Sequence, residues 1–101
     1  DTYLSATTKT LTNKTLTTPT ISQINATTIT LNASADIVLD ADGADIKLKD
    51  SGTNFGRFTN SGGELVIKSG SSATTAATFS GANVTFAGTL AATSIDGGSF
   101  S

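Results

Sequence analysis

Neither cysteine nor histidine occurs among the 101 residues, and tryptophan and methionine are missing as well. Without cysteine there is no disulfide staple and no thiol chemistry, although this does not fix a redox compartment. Without histidine as well, catalysis would have to rest on paired carboxylates or on a serine with a lysine base, and the acids sit at turns or opposite lysines. An enzyme is therefore not expected. Charge is sparse, with 14% charged residues and a formal net charge of −2, so neither a basic groove for nucleic acid nor a basic amphipathic helix for a membrane surface is present. No apolar run is long enough for a membrane span, and no signal-peptide pattern opens the chain. With its start at Asp1 in place of Met and its stop at Ser101, the chain is expected to be a processed or partial piece of something longer.

Large apolar side chains are also few. Leu, Ile, Val and Phe together make up little more than a fifth of the sequence, close to the level at which chains stay disordered. A chain of this size and composition is expected to bury too little surface alone and to complete its interior against other chains. Thr, Ser, Asn and Gly dominate, and apolar residues show no sustained spacing of three and four. The expected fold is all-β.

The stretch DIVLDADGADIKL, Asp36 to Leu48, gathers acids in the D-x-D-G manner of calcium loops. An EF-hand order would place a ligand at position 44 and the glycine at 45, where Ala44 and Asp45 stand, and no closing bidentate Glu follows. Asp40, Asp42 and Asp45 are thus weak metal candidates, and no metal or cofactor is expected. Read as a hairpin turning at Asp42 and Gly43, the segment places Leu39 opposite Ile46 and Ile37 opposite Leu48, all on one face. Asp40 and Asp45 would then face each other and repel, so Asp45→Asn would be neutral or stabilising.

Two more hairpins follow the same rule. In FTNSGGELVI the expected loop is Ser61 and Gly62, with Phe58 facing Leu65 and Ile67 on the same strand face. In ATFSGANVTF it is Gly81 and Ala82, a pair suited to a type II′ turn, with Phe79 facing Val84 and Ala77 facing Phe86. The Gly/Ser/Asn clusters KDSGTN and KSGSSATT read as return turns of one meander. Phe55 and Phe58 are three apart, so Gly56 between them suggests a β-bulge. The segment 32–101 is accordingly expected to be a run of β-hairpins.

Residues 1–31 differ. They are rich in Thr and carry the near-repeat KTLTN, KTLTT; a turn at Asn13 and Lys14 would bring Leu11 and Leu16 to one face, and Ile29 and Leu31 alternate as on a strand. This third is expected to be a shaft or connector.

The string TLTNKTLTTPTI, Thr10 to Ile21, resembles the repeats of bacteriophage tail and head fibres, especially those of marine and other podophage-like and myophage-like viruses. ADIVLDADGADIKLKDSG, FGRFTNSGGELVIKSGSS and ATFSGANVTFAGTL are similar to the same kind of protein. The resemblance implies an elongated homotrimer of β-hairpins, intertwined or built as a β-prism or β-helix. It also implies a place in the virion as a stiff spacer that supports host attachment. Other tail proteins would be partners, and host glycan or receptor would be met through other regions. It carries no active-site residues.

On this reading Leu11, Leu16, Ile29, Leu31, Ile37, Leu39, Ile46, Leu48, Phe58, Leu65, Ile67, Phe79, Val84 and Phe86 form the shared interior. Two other functions fit the composition: the stalk of a bacterial surface adhesin, and a binding module built on T-x-T triplets such as those in TTKTLTNKTLTT. Tyr3 and Phe100 are the aromatics left for sugar contacts.

Overall fold

The computed structural model describes residues 8–98, so Tyr3 and Phe100 lie outside the described residues. The chain divides between Ala35 and Asp36 into two units.

In the first unit, residues 8–35 form no strand or helix. Leu11, Leu16, Ile21, Ile24, Ile29 and Leu31 are all exposed. The expected Asn13–Lys14 hairpin is not formed. Asn13 does take a left-handed φ of 53°, but Lys14 does not, and a type I′ turn needs both central residues there. The chain bends and no ladder closes behind it.

The second unit holds a single five-stranded antiparallel sheet, in spatial order β1-β2-β3-β4-β5. Its strands are β1 (Asp45–Asp50), β2 (Thr53–Ser61), β3 (Glu64–Ser69), β4 (Thr74–Ser80) and β5 (Asn83–Phe86). Sequential neighbours pair because three of the four connections are two-residue turns with the backbone shape their residues allow. Ser51–Gly52 and Gly62–Gly63 have positive φ at both positions, as type I′ requires, while Gly81 alone is positive before Ala82, as type II′ requires. The β3–β4 connection is the longer loop Gly70–Ala73, closed by the Ala73 N–H donating to the Gly70 carbonyl at 3.3 Å.

Phe79 pairs with Val84 and Ala77 with Phe86, the register implied by a loop at Gly81 and Ala82. The β2–β3 register differs from the sequence expectation. The loop is Gly62–Gly63, not Ser61–Gly62, so Phe58 meets Ile67 and Leu65 meets Asn60. Glycine takes left-handed φ at lower cost than serine, which adopts it at Ser51, and the Gly63 N–H also donates to Asn60 Oδ1 at 2.9 Å. Because the shift is two residues across the ladder, Phe58, Leu65 and Ile67 stay on one face.

The Asp42–Gly43 hairpin is also overturned. A turn forms there, with the Ala44 N–H donating to the Ala41 carbonyl at 3.3 Å, but Asp36–Ala41 is not a strand and does not pair with β1. The left-handed residue is Ala44, φ 76°, and neither Asp42 nor Gly43 has positive φ. The turn therefore lacks the I′ shape that would return the chain alongside itself. β1 pairs with β2 instead, Ile46 against Phe58 and Leu48 against Gly56, which also separates Asp45 from Asp40.

Phe55 is the extra residue of a bulge: Leu48 pairs with Gly56 but Lys49 with Asn54. A Cβ on Gly56 would stand 3.3 Å from the Lys68 carbonyl oxygen, so the strands approach closely at this point. A second bulge, at Ala76 on β4, has no clear sequence signal; Ile67 pairs with Ala77 and Lys68 with Thr75.

Candidate functional site

Strand alternation sorts the sheet into two unlike faces. One carries an apolar row that crosses all five strands through direct cross-strand pairs: Ile46, Phe58, Ile67, Ala77 and Phe86. Beside it Leu65, Phe79 and Val84 form a second apolar row with Asn60. Ala77 is buried among these larger neighbours, at 8% exposure. The large side chains around it are not covered by their own chain: Phe58 is 39% exposed, Leu65 48% and Phe86 51%. A single sheet has no second layer, and residues 36–98 form no further strand or helix to supply one.

At one end of this face lies an open groove of about 360 Å³, lined by Leu39, Ala44, Ile46, Phe58 and Leu65 with Asp40 and Glu64 at its polar margin. Leu39 and Ile46 thus line one groove without strand pairing. Ile37 and Leu39 remain 52% and 61% exposed.

The opposite face is polar. Asp45, Thr59, Val66, Thr78 and Thr85 form one cross-strand row, and Lys47, Arg57 and Lys68 form the next. Val66 is buried at 5% and Thr59 at 8%, beneath the longer polar side chains beside them. The Asp45 carboxylate joins β1 to β2: Thr59 Oγ1 donates to Oδ1 at 2.7 Å and Arg57 Nη1 donates to Oδ2 at 3.0 Å. The Thr59 hydrogen bond, followed by the bond and charge of Arg57, holds the Asp45 carboxyl below its ordinary pKa against the opposing effect of desolvation. Arg57 Nε and Asn54 Oδ1 are buried without partners.

Among the described residues no group of three or more acids comes together to hold a metal. Asp42 sits at a turn, Asp40 at the groove, and Asp45 is engaged with Thr59 and Arg57 on the other face of the sheet. The juxtaposition of Asp40 and Asp45 expected from the sequence is replaced by that charge pair. The return turn read in KDSGTN does bring β1 back onto β2, but the engagement of Asp45 by Arg57 and Thr59, 12 and 14 residues away, had no signal in the sequence. No membrane-length apolar helix occurs among the described residues.

No protein-family model, curated protein or solved structure matches this chain.

Proposed function

We propose that this chain is a structural segment of a homotrimeric fibre, of the bacteriophage tail type that its Thr10–Ile21 string resembles. It acts mechanically, as a stiff spacer supporting host attachment, within a virion and alongside other tail proteins. The observation that carries the reading is the uncovered apolar face running across β1 to β5.

An isolated sheet of this kind leaves its largest side chains in water. Covering one Leu, Ile, Phe or Val contributes on the order of 1.5–3 kcal/mol, and the face offers Ile46, Phe58, Leu65, Ile67, Phe79, Val84 and Phe86 from every copy. Three such sheets, apolar faces inward around one axis, form the walls of a prism and place the Asp45–Arg57 face outside. The exposed Leu and Ile residues of 8–35 and the exposed Leu90 and Ile95 extend the same demand for neighbours along the chain. The polar outer wall keeps such a rod from associating further.

Sedimentation equilibrium of the purified chain tests the reading. A trimer mass is expected. A folded monomer, or a dimer built as a two-sheet sandwich, overturns it.

A further inference from the structure

We propose that the two free edges of the sheet, β1 and β5, form a matched pair through which one copy of this chain joins the next as parallel strands. The contact rests on the homotrimer reading and names the backbone surface that closes it. Among the described residues no backbone–backbone hydrogen bond reaches the outer side of either strand. Both bulges fall on the inner strands β2 and β4, so neither edge is kinked away from a neighbour. β5, with the sequence NVTF, also carries no charge or proline to guard it.

The direction of the backbone groups decides how the edges fit. In an antiparallel ladder, successive residues turn their N–H and C=O groups alternately toward the partner strand and away from it. The Ala44 carbonyl accepts from the Asn60 N–H at 2.9 Å, so Asp45, Lys47 and Lys49 aim their backbone groups outward from β1. The Ala87 N–H donates to the Ala76 carbonyl at 3.0 Å, so Val84 and Phe86 aim theirs outward from β5. The side chains of these outward residues lie on opposite faces, polar on β1 and apolar on β5.

Antiparallel strands bond residues that stand directly opposite, and opposite residues share a face. An antiparallel β5–β1 junction would set Val84 beside a lysine and continue the apolar face of one sheet as the polar face of the next. A parallel junction instead bonds each residue to the two that flank its opposite number. Val84 then stands opposite Ile46 of the second copy, bonding the Asp45 carbonyl and the Lys47 N–H. Phe86 stands opposite Leu48, bonding the Lys47 carbonyl and the Lys49 N–H. All four apolar side chains stay on one face, and Lys47 falls beside Thr85 on the polar one. A shift of two residues would set Phe86 against Asp50 and lose this match.

The topology supplies the required direction. With five antiparallel strands, β1 and β5 run the same way. Rotation about an axis along the strands therefore brings β5 of one copy beside β1 of the next in parallel, and three such head-to-tail contacts close a ring. Two β5 edges pairing antiparallel, Val84 against Phe86, would also keep the faces matched, but that contact ends in a dimer with β1 unpaired.

Cysteine cross-linking of the full chain tests the register, because the sequence has no cysteine of its own. Lys47 and Thr85 are both exposed. On the two edges of one sheet they stand about 19 Å apart, too far for an internal bridge. On oxidation, Lys47→Cys/Thr85→Cys should give a disulfide-linked trimer, at least about tenfold faster than Lys49→Cys/Thr85→Cys, whose sulfurs are two residues out of register. Thr85→Cys alone should stay unlinked. A linked dimer from Thr85→Cys alone, or equal linking of the 47 and 49 variants, overturns the inference. Lys47→Pro removes an outward N–H that serves no bond within the sheet, so the trimer should be lost with the β circular dichroism retained, whereas Lys47→Gln keeps both. A sedimenting trimer that fails to link at 47 and 85, or that survives Lys47→Pro, overturns the edge contact and leaves the homotrimer standing. Linked ladders longer than three chains sink the trimer and leave the edge contact, and an unlinked monomer sinks both.

Discussion

Thr59 stands directly opposite Asp45 on the neighbouring strand and donates its hydroxyl to the Asp45 carboxylate at 2.7 Å. With Arg57 on the second oxygen, the first residue of β1 is fastened to β2 at the point where the chain enters the sheet.

This arrangement predicts acid sensitivity. The folded carboxyl of Asp45 has a lowered pKa, so its contribution to stability is complete above the unfolded value near 4 and is lost as pH falls through the lower, folded value. Asp45→Asn should lower the melting temperature at about pH 7, and the gap from the original protein should narrow below about pH 4. Thermal melts followed by circular dichroism across that range check it; a variant more stable at neutral pH would restore the repulsion expected from the sequence.

Removing the donor separates the hydrogen bond from the ion pair. Thr59 is 8% exposed, and Thr59→Val keeps its shape while depriving the carboxylate of one partner. A loss of about 1 kcal/mol in urea unfolding is expected, with the acid sensitivity reduced because the first cause of the lowered pKa is gone.

The Gly62–Gly63 turn makes a backbone prediction. A Cβ at either position meets nothing within 4 Å, yet φ is 62° and 90°. Each Gly→Ala change should therefore cost about 1 kcal/mol through backbone strain alone. Gly63→Asn should cost less, because Asn tolerates the left-handed region. Denaturant midpoints of the variants measure the difference.

Association should depend on the apolar row. Ile46→Asp places a charge at one end of the line Ile46, Phe58, Ile67, Ala77, Phe86 and should convert the assembled species to monomer in sedimentation. Lys47→Gln, one residue away on the opposite face, should leave the assembly intact. Loss of assembly in both would move the contact off the apolar face.

Val66, at 5% exposure, belongs to the polar face and not to the proposed contact. Val66→Ala removes roughly two methylene equivalents and should cost about 1.5 kcal/mol of sheet stability. The oligomer mass should not change.

Composition and alternation determined that this chain is β-structure with narrow apolar stripes, because Thr, Val, Ile and Phe at period two leave no helical face. Local turn chemistry was equally legible at Gly81–Ala82, where the loop residues set the Phe79–Val84 register by themselves. The return turn in KDSGTN was legible too, and it brings β1 back onto β2. Whether 36–41 would pair on the other edge of β1 was not. Asp42–Gly43 offers a turn, but without positive φ at both positions it does not return the chain, and Asp45 is engaged instead by Arg57 and Thr59, residues 12 and 14 positions away. Such contacts exist only once the sheet is assembled. For the same reason the gathering of Lys47, Arg57 and Lys68 into one row was invisible until strand register fixed which side chains stand side by side.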